Sequence, residues 1–199
     1  MVVSDNGVPK MSDTTTVRVT VEDENDNSPV FSKASYVTRV SETASPGTEV
    51  KAIFATDLDS GDNGALHYRI VGGNRERKFS LNSTTGLLYL EAPLDREETA
   101  HYVLRIQAED GGQPSQLSAS CSVTIIVQDE NDNPPRLTNT RLSLSLPEDI
   151  AVGEQIFYFS AEDEDEGENA ELRYEISGGD SGYQKHFMID QYTDTELYL

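Results

Sequence analysis

The sequence predicts an all-β chain built of tandem immunoglobulin-like Greek-key β-sandwiches, one complete and two partial. Three observations carry this. A unit of domain length repeats within the chain. Polarity alternates with a period of two and no segment holds a helical period. About seven short strands, punctuated by Gly, Pro and Asn, fit into each stretch of roughly a hundred residues.

The repeat comes first because it fixes the boundaries. Asp23-Glu24-Asn25-Asp26-Asn27 returns as Asp129-Glu130-Asn131-Asp132-Asn133, so Asp23 and Asp129 stand 106 residues apart. The same offset carries Glu42 to Glu148, Gly47 to Gly153, Asp57 to Asp163, Asp59 to Asp165, Asn63 to Asn169 and Tyr68 to Tyr174. It also carries Leu66-His67-Tyr68-Arg69-Ile70 onto Leu172-Arg173-Tyr174-Glu175-Ile176. Residues 1–27 are expected to be the end of one unit plus its linker, 28–133 a whole unit with its linker, and 134–199 the first part of a third. Leu197-Tyr198-Leu199 then aligns with Leu88-Tyr89-Leu90, and Val17 to Val21 falls near Val123 to Val127. Both end pieces lack strands of a full unit, so each is expected to be marginal if expressed alone.

Within the whole unit the strands follow in order: residues 36–41, 50–55, 66–70, 78–81, 87–90, 102–108 and 123–127. Leu66, Tyr68 and Ile70 alternate with outward neighbours, as do Tyr102, Leu104, Ile106 and Ala108, and then Val123, Ile125 and Val127. Cys121, the single cysteine, shares the parity of this last run and is expected to be a buried apolar filler. With no Trp and one Cys, the Cys…Trp…Cys core of true immunoglobulin domains is absent and no internal disulfide can form. A small sandwich without disulfides needs another staple, and metal is the common substitute.

Charge points the same way. Fifteen Lys plus Arg against 36 Asp plus Glu leave a net charge of −21, which repels phosphate backbones and anionic lipid surfaces. Nine Tyr and six Phe in alternating runs argue against disorder as the reason for the acidity. No apolar stretch has the length of a membrane-spanning helix, and residues 1–10 lack the apolar core of a signal peptide. A signal and an anchor are therefore expected outside this chain.

The carboxylates gather where the strands end. Glu42 follows the first strand and Asp57 and Asp59 the second; Asp95 and Glu97 lie between strands; Asp110 follows the sixth, and residues 129–133 form the exit linker. Carboxylates mixed with Asn side chains and backbone carbonyls are hard oxygen donors that suit Ca²⁺ rather than Zn²⁺ or copper. Calcium takes six to eight oxygens, so several segments must converge on each ion. An EF-hand over Asp57 to Tyr68 is excluded: its sixth position is Asp62 instead of Gly, its twelfth is Tyr68 instead of Glu, and no helices flank it. Pro29 and Pro134-Pro135 restrict the chain as each new unit begins.

Asp-Glu-Asn-Asp-Asn followed by Ser28-Pro29-Val30-Phe31, with Ser41-Glu42, Asp57-Leu58-Asp59, Leu94-Asp95-Arg96-Glu97 and Ala108-Glu109-Asp110, resembles the calcium signature of extracellular cadherin repeats. The lack of Trp and the form of the linker look more like the long Fat, Dachsous, Flamingo or protocadherin branches. For the junction near residue 133, the resemblance implies ligands Glu42, Asp95, Glu97, Asp129, Asn131 and Asp132, with carbonyls of Glu130 and Asn133. The next unit answers with Asp163, Asp165 and the carbonyl of Asn169. For the junction near residue 27, it implies Asp23, Asn25 and Asp26, with carbonyls of Glu24 and Asn27, met by Asp57, Asp59, Asp110 and the carbonyl of Asn63. Glu148, as the counterpart of Glu42, joins the ligand set. The resemblance implies Ca²⁺ as cofactor, other cadherin-type ectodomains as partners (homophilic or heterophilic), and a place in the extracellular part of a plasma-membrane protein.

Two rival functions stand beside a calcium-dependent adhesion segment: a passive calcium-stiffened spacer, and a calcium-loaded carbohydrate or protease accessory module. No aromatic platform supports the last. Catalysis is not expected, since His67, His101 and His186 are isolated from any nucleophile or carboxylate pair. Glu162, Glu164, Glu166 and Glu168 read as a solvated acidic run. Asn82-Ser83-Thr84 fits an N-glycosylation sequon in a turn before Gly86.

Overall fold

The structure, a computed structural model, describes residues 1–138, 143–177, 187–190 and 196–198; His186 and Leu199 lie outside the described residues. Among the described residues the chain is all-β apart from one 3-10 turn. It opens with an exposed hairpin of β1 (Val2–Ser4) and β2 (Ser12–Thr14), in which Val2 faces Thr14. Residues 15–29 carry no strand, so the stretch expected to match 123–127 has no ladder partner among the described residues. Its apolar side chains stay exposed, Val21 by 90%.

The whole unit follows as a two-sheet sandwich. Its strands are β3 (Val30–Phe31), β4 (Ser35–Ser41), β5 (Glu49–Ala52), β6 (Ala55–Thr56), β7 (His67–Gly72), β8 (Phe79–Leu81), β9 (Leu87–Leu90), β10 (His101–Glu109) and β11 (Ser118–Gln128). One sheet has the order β4-β11-β10-β7, with β4 parallel to β11 and the other pairs antiparallel. The facing sheet has the order β5-β9-β8, and β3 pairs with β6 along its own short ladder. The seven expected strands are all present. The segment expected to run unbroken over 50–55 divides into β5 and β6 around Ile53 and Phe54, where Ile53 is fully buried while Phe54 is 55% exposed.

Alternation builds the core as the pattern requires. Tyr102, Leu104, Ile106 and Ala108 of β10 and Cys121, Val123, Ile125 and Val127 of β11 all face inward. They meet Ile53, Phe79, Leu88 and Leu90 of the opposite layer, and Phe79 stands edge-on to Tyr102 at 5.2 Å between ring centres. Burial pushes the Cys121 thiol up to about 11, so it acts as an apolar filler.

The last part begins a second copy of the same plan. Its elements are β12 (Arg136–Leu137), β13 (Gln155–Tyr158), β14 (Ala161–Glu162), a 3-10 turn at Gly167–Ala170, β15 (Met188–Asp190) and β16 (Glu196–Tyr198). β12 pairs with β14 as β3 does with β6, and the order β13-β16-β15 repeats β5-β9-β8. The Tyr hydroxyls repeat too: Ala55 N–H donates to Tyr68 Oη and Ala161 N–H to Tyr174 Oη, each at 3.0 Å. No helix among the described residues is long and apolar enough to cross a membrane.

Candidate metal centre

Two junctions bring the acidic motifs together, and they share several bonds. At the first, Asp23 Oδ2 accepts the Ser60 N–H and the Asn63 side-chain amide, both at 3.0 Å. At the second, Asp129 Oδ2 accepts the Glu166 N–H at 3.0 Å and the Asn169 amide at 2.9 Å. The Asn27 N–H donates to Asp59 Oδ2 at 3.0 Å and its side-chain amide to Asp59 Oδ1; Asn133 does the same to Asp165 Oδ1 at 3.3 and 3.0 Å. The first carboxylate of each Asp-x-Asp pair turns back onto the second residue, Asp57 Oδ1 accepting the Asp59 N–H and Asp163 Oδ1 the Asp165 N–H at 3.0 Å each. These local bonds aim the remaining oxygens into the junction.

Asp110 closes the first junction from the end of β10. It is fully buried and accepts N–H groups of Gly112 at 3.0 Å and Leu117 at 3.1 Å, with the Asn25 amide at 3.3 Å. Asn25 also donates to the Ser115 carbonyl at 2.9 Å. Gly112 makes this possible, because a Cβ there would lie 1.9 Å from Asn25 Nδ2. Asp59, through Asn27, and Asp110, through Asn25, thus meet the segment 23–27, while Asp57 bonds the Asp59 N–H beside them.

At the second junction the whole unit contributes more. Glu42 is 5% exposed, and its two oxygens accept the Glu130 N–H at 2.7 Å and the Arg96 N–H at 2.8 Å. Oxygens of Glu42, Asp95 and Glu97 lie within 4.8 Å of one another, as do those of Glu97, Asp129 and Asp165. Glu97 belongs to both groups, so one carboxylate can bridge two neighbouring cation positions.

Among the described residues three buried side-chain acceptors have no hydrogen-bond partner: Asn25 Oδ1 and Asp57 Oδ2 at the first junction, Asp165 Oδ2 at the second. A buried oxygen without a donor costs free energy unless a cation satisfies it. All three belong to residues that the sequence nominates as ligands, and the donor set is oxygen throughout. The residues therefore fit a hard divalent cation.

Electrostatics agrees. Burial pushes the Asp132 carboxyl above its usual range, and the charges of Glu42, Asp165, Asp95 and Asp129 push further. Glu97 is also raised, by burial first and by the Glu42 charge, against its own N–H and Arg96. Burial works to raise Asp129 too, but hydrogen bonds from Glu166 N–H, Asn169 and Arg96, with the Arg96 charge, hold it below the usual range. Carboxylates that raise one another's proton affinity form a site starved of positive charge.

Other nominated residues take lesser positions. The carbonyls of Glu24 and Glu130 each accept an N–H two residues on, from Asp26 and Asp132, at 2.9 Å. The Glu130 side chain accepts the Ser41 hydroxyl at 2.8 Å. Asp26 and Asp132 each accept the amide of the following Asn, at 2.7 and 2.9 Å. Asn131 lines a cavity with Asp163 and Asn169. Glu148 is exposed and belongs to neither carboxylate group. Asn82 is exposed at the β8–β9 turn, its Oδ1 accepting the N–H groups of Thr84 and Thr85 at 3.0 Å.

Two findings were not read from the sequence. Glu164 and Glu166 remain 61% and 75% exposed, yet the Glu164 carbonyl and the Glu166 N–H take part in the second junction. Arg96 is the other. Its guanidinium bonds Asp129, Glu97 and the Glu164 carbonyl, the last at 2.6 Å, and the two carboxylates hold its proton more tightly despite burial. Its place between Asp95 and Glu97 in a net-acidic chain was the available signal.

A two-sheet sandwich with β4 parallel to β11, followed by a second copy across an acid-rich linker, is the architecture of tandem cadherin repeats. The cadherin domain family matches residues 36–128 and 142–199. The chain is 40% identical over 179 residues to human Protocadherin Fat 4, covering 89% of this chain and 4% of that protein. It is 44% identical over 186 residues to the Drosophila melanogaster Fat-like cadherin-related tumor suppressor homolog, covering 94% of this chain and 4% of that protein. In structure it resembles mouse Cadherin-23 EC22-24, with a TM-score of 0.83 and 33% identity over 99% of this chain and 61% of that one. The Protocadherin GammaB4 extracellular domain gives a TM-score of 0.82 at 30% identity, over 99% of this chain and 32% of that one. The chain belongs to the cadherin family, in the Fat- and protocadherin-like branch. The family to which its repeats belong is not one of enzymes.

Proposed function

We propose that this chain is a stretch of ectodomain whose repeats are stiffened by calcium at each junction, so that they present adhesive surfaces between cells. In this reading residues 28–133 are one whole repeat with its linker, flanked by parts of two others, on the extracellular side of a plasma membrane. The observation that carries it is the pair of carboxylate groups sharing Glu97 at the second junction with the buried, unpartnered Asp165 Oδ2 among them, while Asn25 Oδ1 and Asp57 Oδ2 are likewise unpartnered at the first. Asp23, Asn25, Asp57, Asp59 and Asp110 would hold calcium at the first junction. Glu42, Asp95, Glu97, Asp129, Asp132, Asp163 and Asp165 would hold it at the second.

When bound, calcium supplies positive charge that offsets the mutual repulsion of these carboxylates. The chain's own residues do the rest. The Asn27 and Asn133 donors orient the Asp-x-Asp carboxylates, and Asp23 and Asp129 already reach across to the following unit. Side chains of two units that share one ion favour the aligned arrangement through differential affinity for it. Partners of such a rod would be other cadherin-type ectodomains. The chain spans 4% of Protocadherin Fat 4 and of the Drosophila relative, so the adhesive role is argued for the parent protein rather than for this segment alone.

Solution scattering of the chain with calcium and with chelator tests the stiffening: maximum dimension is expected to be larger and better defined with calcium. An identical envelope in both would sink it. Bead aggregation by a longer segment, with and without calcium, tests the adhesive part.

A further inference from the structure

We infer that Arg96 is a built-in rival cation at the second junction, one that lowers its calcium affinity and ties the two repeats when calcium is scarce. The inference rests on the calcium reading above and goes one step further, to what sets the affinity.

The guanidinium is 12% exposed and sits among the nominated ligands. Its Nε donates to Asp129 Oδ1 and its Nη2 to Glu97 Oε1, while Nη2 also donates to the Glu164 carbonyl of the next repeat at 2.6 Å. Glu97 is the carboxylate shared by both ligand groups, and Asp129 belongs to the second. Asp129 Oδ2 is already committed to Glu166 N–H and Asn169, so Arg96 occupies the oxygen left to Asp129 for a metal. A lone pair directed at a guanidinium N–H is available to a divalent ion only after that contact breaks. Calcium and Arg96 therefore compete for the same oxygens.

The backbone lets them exchange. The Arg96 N–H is pinned by Glu42 Oε2 at 2.8 Å, so the side chain can swing out without moving Asp95 or Glu97. Until it swings, its bond to the Glu164 carbonyl links one repeat to the next. At the first junction no basic side chain pairs with Asp23, Asp57, Asp59 or Asp110 among the described residues, which makes that linker an internal reference.

Hydrogen–deuterium exchange of the chain across a calcium titration reads both linkers at once. With Arg96→Gln, the calcium midpoint for protection of 129–133 is expected to fall about fivefold, the effect of losing a competing cation whose two ion pairs are partly buried. The midpoint for 23–27 is expected to stay put. In chelator, the same variant is expected to exchange 129–133 several-fold faster than wild type. Arg96→Lys, which keeps charge without the fork, should fall between. A residue that merely props up the fold would raise the calcium midpoint when removed. An unchanged or raised midpoint at 129–133 in Arg96→Gln overturns the inference and leaves the calcium reading standing. Absence of calcium-dependent protection in the wild type overturns the calcium reading, and this inference with it.

Discussion

Replacing Asp110 by Asn changes charge and one donor–acceptor identity with almost no change of shape. Its Oδ1 accepts Gly112 N–H at 3.0 Å, Leu117 N–H at 3.1 Å and the Asn25 amide at 3.3 Å, while Oδ2 meets only Leu117 N–H at 3.1 Å. An amide placed with its oxygen at Oδ1 keeps the Gly112, Leu117 and Asn25 donors on that oxygen but sets its NH2 against the Leu117 N–H that Oδ2 accepted; that and the lost charge assistance cost at least about 1 kcal/mol. For a domain of this size that is a drop of about 4–8 °C in melting temperature in chelator. The calcium-dependent gain should suffer more. At a calcium concentration about 100 times the wild-type Kd, binding adds about 2.7 kcal/mol of stability. Loss of a carboxylate ligand that weakens binding tenfold removes about 1.4 kcal/mol of it, so the calcium-induced rise in melting temperature should fall to about half. Thermal melts followed by circular dichroism, with calcium and with chelator, measure both quantities. A variant with the full wild-type calcium shift would refute the assignment of Asp110 to the metal centre.

Four further outcomes are expected. Leu104→Ala, at a fully buried position of β10, should cost about 2–5 kcal/mol in denaturant unfolding, with the loss unchanged by calcium because the site is remote from both linkers. Calcium affinity should fall as pH drops toward the carboxylate range: Glu97 and Asp132 hold protons at higher pH than ordinary carboxylates, so protons compete with metal there first. The same raised pKa values mean that, in chelator, the junction loses stability as pH rises through their titration range, while Asp129, held low, contributes stability above its ordinary range and loses it as pH falls. Stability titrations in calcium and in chelator should therefore differ in slope. Finally, Asp132→Ala should shorten the calcium-dependent maximum dimension in scattering more than Glu166→Ala, whose side chain is 75% exposed and whose N–H, the group that bonds Asp129, survives the substitution.

The fold and the residue types of the candidate site were legible in the chain itself, because both are local. Inward positions on a strand recur every two residues, so Tyr102 to Ala108 and Val123 to Val127 announced their own burial. Ligand motifs copied at one offset exposed the junctions, since each Asp-x-Asp pair orients itself through its own backbone, as Asp57 does onto Asp59. What the sequence alone missed needed partners distant along the chain. The split between β5 and β6 depends on Ile53 turning into the core while Phe54 turns out. The residues 17–21 have strand-like composition but no ladder, and a strand exists only through a neighbour that shares its hydrogen bonds. Gly112 matters only because the Asn25 amide, 87 positions earlier, packs where its side chain would be. Arg96 stood in the sequence only as a member of Leu94-Asp95-Arg96-Glu97 until folding set it between Glu97, Asp129 and the Glu164 carbonyl. Composition and spacing determine which atoms can bind a cation; only the tertiary structure decides which oxygens are buried without donors and which already hold an arginine, because desolvation and competition depend on everything that surrounds them in space.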